Sequence, residues 1–251
     1  MEFLHEGPPP VTSPRILVVE HEADTGIGLV GRELRDSGAL LVTVGPEAGR
    51  EIPATLDGFD GLIVLGGTPG PTDDAVAGWL PGVRGLVAEA LADAVPYFGI
   101  CLGAQILAVV AGGVVGEAAA PEVGLCELEL TPAAVGDPLL GGLGGDLRAL
   151  QWHFLEVLEL PDGSVPLCRS DRCANQAFRV GEAAWGVQFH LEADAATATA
   201  WARPGTPNPD LARAGTTAED VIAAMRAGEA DLAALWAPVT RRWLGVVEAR
   251  R

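Results

Sequence analysis

The sequence predicts an α/β fold, an open and mostly parallel sheet with helices on both faces and an added antiparallel β portion. Three observations carry this. Apolar runs of strand length, such as Arg15-Ile16-Leu17-Val18-Val19-Glu20 and Gly61-Leu62-Ile63-Val64-Leu65, are continuous, the pattern of strands buried on both faces. Helical spacing separates them, as crossover connections in a parallel sheet require. After Gly112-Gly113 the pattern changes to short extended segments punctuated by Gly, Pro, Asp and Asn, which suggests hairpin-like additions. With 251 residues, 49% of them hydrophobic, the chain can bury one substantial core.

Taken in order, Met1 to Pro14 reads as a flexible, proline-rich tail, residues 15–195 as the α/β domain, and 196–251 as a helical extension packed on it. Arg15 to Glu20 is the first strand, Ile27 to Leu34 the first crossover helix, and Leu40 to Val44 the second strand. Gly61 to Leu65 is the third, running into Gly66-Gly67-Thr68-Pro69-Gly70-Pro71, where a helix cannot continue and a glycine pair lets backbone N–H groups approach a ligand. Trp79 to Ala94 reads as a helix. Gly124 to Leu130, Leu147 to His153, Val165 to Arg169, Ala174 to Val180 and Ala183 to His190 read as extended segments. Thr217 to Arg226 and Ala230 to Val247 have helical composition, the second with an apolar stripe of Leu235, Trp236, Val239 and Trp243. That stripe suits packing on its own domain, with a partner or a second copy of the chain as the alternative.

The stretch Val95-Pro96-Tyr97-Phe98-Gly99-Ile100-Cys101-Leu102-Gly103-Ala104-Gln105 organises the rest. An apolar strand ends at Gly99, Gly-x-Cys-x-Gly turns sharply, and an apolar helix begins at once. This is the pattern of a nucleophile elbow, with small residues flanking an exposed reactive atom. A sulfur at a helix N-terminus is favoured as the thiolate by the unpaired N–H groups there. Cys101 is therefore a candidate nucleophile, with a core-filling cysteine as the plain alternative. The last extended segment closes on Gly186-Val187-Gln188-Phe189-His190-Leu191-Glu192. If the extended conformation persists, Gln188, His190 and Glu192 share one face, so a carboxylate can orient the imidazole as in a nucleophile–base–acid triad.

Phe98 to Gln105, Gly186 to Glu192 and the Gly66-Gly67 loop together resemble the class I (triad-type) glutamine amidotransferase family, over about the first 195 residues and in the family's order. In form the chain is similar to a free-standing copy of the glutaminase domain of GMP synthase. The resemblance implies a flavodoxin-like sheet and cleavage of a glutamine side-chain amide through a Cys101 thioester, with His190 as base and Glu192 orienting it. It also implies an oxyanion hole from the backbone N–H groups of Gly67 and Leu102, and a substrate pocket drawn from Gly66, Gln105, Gln151, Trp152 and His153. Many members have His where this chain has Ala104, Pro where it has Leu191, and an Asp soon after the position of His153, where this chain reads Phe154-Leu155-Glu156. Related cysteine-elbow hydrolases and deglycases commonly place His directly after the cysteine, where this chain has Leu102.

Composition bounds the partners. A net charge of −18 repels nucleic acid and anionic membrane, so neither is expected. All 16 basic residues are Arg, so Schiff-base lysines and the phosphate-loop lysine are absent, and any ATP site belongs to another chain. The four cysteines do not resemble a disulfide scaffold, and Cys168 and Cys173 have no neighbouring His or Cys pair to complete a zinc site. No cofactor and no metal are expected. The tail lacks an apolar signal core and no later segment reads as membrane-spanning, so the expectation is a reduced, cytoplasmic protein. The expected ligand is glutamine or a γ-glutamyl compound, and the expected partner is a separate synthetase or acceptor enzyme. The alternatives are a stand-alone γ-glutamyl hydrolase and an idle regulatory subunit.

Overall fold

The computed structural model describes residues 13–251; most of the expected N-terminal tail lies outside the described residues. The chain runs β1 (Arg15–Val19), α1 (Gly28–Asp36), β2 (Leu40–Val44), β3 (Gly61–Val64), α2 (Leu80–Ala92), β4 (Tyr97–Ile100) and α3 (Leu102–Val110). It continues through β5 (Val114–Glu127), β6 (Glu129–Leu130), β7 (Arg148–Glu159), β8 (Val165–Arg169), β9 (Ala177–Val180) and β10 (Ala184–Val187). Three helices close it: α4 (Ala195–Ala202), α5 (Pro209–Ala214) and α6 (Ala218–Arg250).

Eight strands form one sheet in the order β2-β1-β3-β4-β10-β9-β8-β6. The pairs from β2 to β10 are parallel, and those from β10 through β9 and β8 to β6 are antiparallel. The fold is thus the expected mostly parallel α/β sheet with an antiparallel addition. Strand alternation sends Ile16, Val18, Ile63, Phe98 and Ile100 to one face, where they pack with residues of α1 and α6. Leu17, Val19, Leu62, Val64 and Tyr97 go to the other face, against α2 and α3. A continuous apolar run is what such two-sided burial demands.

Four features differ from the sequence reading. The segment after Gly113 is already extended: β5 starts at Val114 and pairs with β7 in a separate two-stranded antiparallel ribbon. The final strand ends at Val187, so Gln188 to Glu192 lie beyond it, with one isolated bridge between Leu150 and His190. Helices α4 and α5 have no counterpart in the sequence reading; Asp194 caps α4 by accepting from the Thr197 N–H at 2.9 Å. The two expected C-terminal helices are one 33-residue helix, which runs through Pro238. Pro238 gives up one backbone hydrogen bond, and the helix persists because Trp236, Val239 and Trp243 are buried on either side of it. Among the described residues no helix is long and apolar enough to cross a membrane.

Candidate active site

The elbow forms because two glycines let backbones meet. A Cβ on Gly99 would lie 2.5 Å from the Gly103 carbonyl carbon, and one on Gly103 would lie 2.1 Å from the Val64 carbonyl oxygen. No larger residue fits either place. Between them Cys101 takes φ +51° and ψ −105°, outside the regions that L-residues ordinarily occupy. Strain of this kind persists where surrounding contacts hold it and is concentrated at functional sites. One of those contacts is the buried Tyr97 hydroxyl, which donates to the Gly103 carbonyl at 2.8 Å; another is the Cys101 N–H, bonded to the Val187 carbonyl on β10 at 2.8 Å.

The same register of β4 beside β10 brings the second motif to the elbow. His190 is held by its backbone N–H, which donates to the Leu150 carbonyl at 2.8 Å. Its Nδ1 lies 2.7 Å from Glu192 Oε1, and Cys101, His190 and Glu192 are all buried. With Nδ1 engaged, Nε2 is the nitrogen left for the Cys101 sulfur. Burial on its own would lower the His190 pKa; the Glu192 carboxylate and the Cys101 sulfur, acting together, raise it from 6.5 to about 10. Glu192 is in turn fixed through its carbonyl, which accepts from the Leu29 N–H at the start of α1 at 2.8 Å. Gln188 also faces the site, its Nε2 3.5 Å from Cys101 Sγ.

The glycine loop after β3 closes the group. A Cβ on Gly66 would lie 3.0 Å from His190 Cε1 and 3.6 Å from Cys101 Cβ, so this backbone passes close to both the cysteine and the ring. Gly67 lies against the Leu102 side chain. Leu102 opens α3, where first-turn N–H groups have no partner within the helix. Glu22, beyond β1, ties this loop down by accepting from the Thr68 N–H at 2.9 Å and hydroxyl at 3.1 Å.

Above these groups is a cavity of about 660 Å³, lined by Cys101, His190, Gly67, Gln105 and the run Trp152 to Leu155. Gln105 reaches it with its amide nitrogen already bonded to the Leu155 carbonyl at 3.1 Å and the Gln188 amide oxygen at 3.2 Å. Trp152 and His153 line the cavity, whereas Gln151 does not and is wholly buried. What the sequence reading missed is the roof. The segment from Trp201 to Asp210 crosses the opening, including Arg203 at φ +47°. The Trp201 ring packs edge-on against His190 at 4.7 Å and Trp152 at 5.8 Å, and its N–H donates to the Asp24 carbonyl at 2.8 Å. Only the Pro204 to Pro209 loop composition marked this segment, and nothing local in it points at position 190.

A family model for glutamine amidotransferase class-I matches residues 27–201. The chain is 34% identical to a subunit of the glutamine-hydrolyzing GMP synthase of Sulfurisphaera tokodaii, over 65% of this chain and 82% of that protein. It is 28% identical to the glutamine amidotransferase-like protein YfeJ of Salmonella typhimurium, over 71% of this chain and 75% of that one. Among solved structures, a glutamine amido transferase from Methylobacillus flagellatus superposes with a TM-score of 0.80 at 26% identity, over 93% of this chain and 94% of that one. With an elbow cysteine and a carboxylate-bound histidine meeting under a glycine loop in the segment that model spans, the chain belongs to the glutamine amidotransferase class-I family.

Proposed function

We propose that the protein hydrolyses the side-chain amide of glutamine and releases ammonia for an acceptor enzyme on another chain. The observation that carries this reading is the convergence of Cys101, His190 and Glu192 beneath the Gly66-Gly67 backbone, at the floor of a cavity. The Cys101 sulfur attacks the amide carbon, and the carbonyl electron pair moves to oxygen, where the N–H groups of Gly67 and Leu102 receive it. His190, holding the thiol proton on Nε2, passes it to the amide nitrogen. The C–N bond breaks, ammonia leaves, and a γ-glutamyl thioester remains. A water molecule that gives its proton to His190 then attacks the thioester, releasing glutamate and restoring the thiol. Glu192 keeps the imidazole in the required tautomer and stabilises its cation. Gly66, Trp152 and His153 border the bound substrate, while Gln105 and Gln151 shape the wall behind it.

Relatives named as subunits of glutamine-hydrolyzing GMP synthases support a partner synthetase as the ammonia acceptor. One observation favours a second reading. The cavity, at about 660 Å³, lies within the ~300–1,000 Å³ of pockets that enclose drug-sized ligands. A γ-glutamyl compound larger than glutamine, cleaved by the same thioester route, would fill it better. Ammonia release from glutamine, measured with and without co-purified partner proteins, tests the first reading; turnover of γ-glutamyl peptides by the lone chain tests the second. A glutamine-analogue electrophile is expected to label Cys101. Absence of both labelling and turnover would overturn both and leave a regulatory role.

A further inference from the structure

In the cavity wall, at His153, three side chains from separate parts of the chain converge. Glu122 stands on β5, His153 on β7 and Cys173 in the turn between β8 and β9, and one donor atom from each lies within 4.8 Å of the other two. All three are at most 4% exposed. The imidazole is held between two acceptors. His153 Nδ1 lies 3.1 Å from the Leu155 carbonyl oxygen and Nε2 lies 3.3 Å from Glu122 Oε2. The neutral ring has one N–H, so one of its two nitrogens faces an oxygen with electron pair against electron pair. Only a positive centre between them, a proton or a metal ion, makes that approach favourable.

A second buried carboxylate stands nearby. Glu156, 8% exposed and close enough to Cys173 to act on its thiol, has an Oε2 without any hydrogen-bond partner. Glu122 Oε2 already accepts from Gln176 Nε2 at 2.7 Å and Ser170 Oγ at 3.0 Å, an outer layer that orients it. A carboxylate, a thiol and an imidazole therefore converge in one buried volume, where charged and polar groups need a compensating partner.

We propose that Glu122, His153 and Cys173 form a three-residue site for a zinc-class divalent cation, with the fourth position left to a water molecule. Metal–nitrogen and metal–oxygen bonds of about 2.0–2.2 Å at a tetrahedral angle put the two donor atoms roughly 3.3–3.5 Å apart. The 3.3 Å between His153 Nε2 and Glu122 Oε2 matches that spacing. On binding, the Cys173 S–H bond gives way to a sulfur–metal bond and the proton leaves to solvent. A mixed sulfur, nitrogen and oxygen set selects zinc over calcium or magnesium, which take oxygen ligands. The site clamps the β5–β7 ribbon to the β8–β9 turn. It also steadies the cavity wall, because the Leu155 carbonyl that faces His153 accepts from Gln105 as well.

The test is metal content and cobalt spectroscopy, neither of which depends on glutamine turnover. Protein purified without chelator is expected to hold about one zinc per chain. Cobalt added to the chelator-treated protein is expected to give a thiolate charge-transfer band. That band is expected to survive Cys101→Ala and vanish in Cys173→Ser, while His153→Ala weakens cobalt binding by roughly 10- to 100-fold. X-ray absorption at the zinc edge of the Cys101→Ala protein needs no change at the site, and is expected to show one sulfur among nitrogen and oxygen ligands. Zinc absent from the purified protein together with no cobalt band would overturn the proposal. So would a sulfur-free zinc shell, or a band lost in Cys101→Ala and kept in Cys173→Ser, which would put the cation on Cys101 and His190 instead.

Discussion

At the scale of single residues, the proposed chemistry rests on a histidine whose charge is set by its neighbours against the effect of burial. Replacing Cys101 by Ala is expected to remove electrophile labelling and to lower ammonia release by roughly 10⁴-fold or more, because nucleophile and base act as one unit. His190 carries a signature that can be read without any substrate. Its pKa is raised from 6.5 in the unfolded chain to about 10, so the folded state holds that proton more tightly. Its contribution to stability is complete below about pH 6.5 and lost as pH rises through about 10. His21 works the other way. Stacked on Trp79 at 4.2 Å, with neither ring nitrogen bonded, it is pushed by burial from 6.5 down to about 4. The neutral ring is favoured by folding, so stability is complete above about pH 6.5 and falls as pH drops toward about 4. Denaturation midpoints measured across pH are expected to lose the alkaline decline in Glu192→Gln and part of the acid decline in His21→Phe. Unchanged profiles would contradict both assignments. Cys101, His190 and Glu192 were legible in the sequence because each is marked by its immediate neighbours, a Gly-x-Cys-x-Gly turn and a His-x-Glu pair. Glu122 and Cys173 were not, since their partners come from strands dozens of residues away and no spacing rule joins them.

At the scale of elements, the elbow is the most constrained and the roof the least. Gly103→Ala forces a Cβ into the Val64 carbonyl, and overpacking of that kind costs about 1–3 kcal/mol or more. The variant is expected to melt earlier in a denaturant titration and to label slowly even where folded, because β4, β3 and α3 must separate to admit it. Trp201→Ala removes an aromatic contact worth about 1 kcal/mol to its pairs. Its expected effect is a fall of roughly fivefold in kcat/KM for the cleaved amide with little change in melting temperature; equal kinetics would show that the roof plays no part. Parallel strands and their crossover helices were readable because each carries its own period. The β5–β7 ribbon was read only in part, since its half-buried residues from Val114 to Pro121 alternate irregularly and pair with β7 through register shifts. The break expected between Arg226 and Ala230, around Gly228, is absent from α6, which continues because Met225, Leu232 and Trp236 on its inner side are buried.

At the scale of the molecule, α6 ties the two ends of the design together. Its Trp243 packs near Phe98 on the elbow strand at 6.1 Å, and Trp236 packs on Phe189, beside the histidine, at 4.8 Å. Trp243→Ala is expected to cost about 3–5 kcal/mol, as large-to-small changes in a core do. Thermal unfolding checks this, with Cys101 labelling below the transition expected to stay near the wild-type rate. The sequence by itself determined the parallel sheet, the elbow and the imidazole with its carboxylate, because strand burial, a tight turn and a two-residue spacing are local properties of the chain. Tertiary structure alone decided that residues 201–210 cover the cavity, that Gln151 does not line it, and that Glu122, His153 and Cys173 converge in one buried volume. Those outcomes depend on which surfaces are brought together when the ribbon and the C-terminal helices pack against the sheet, and contacts between distant segments leave no period in the sequence that makes them.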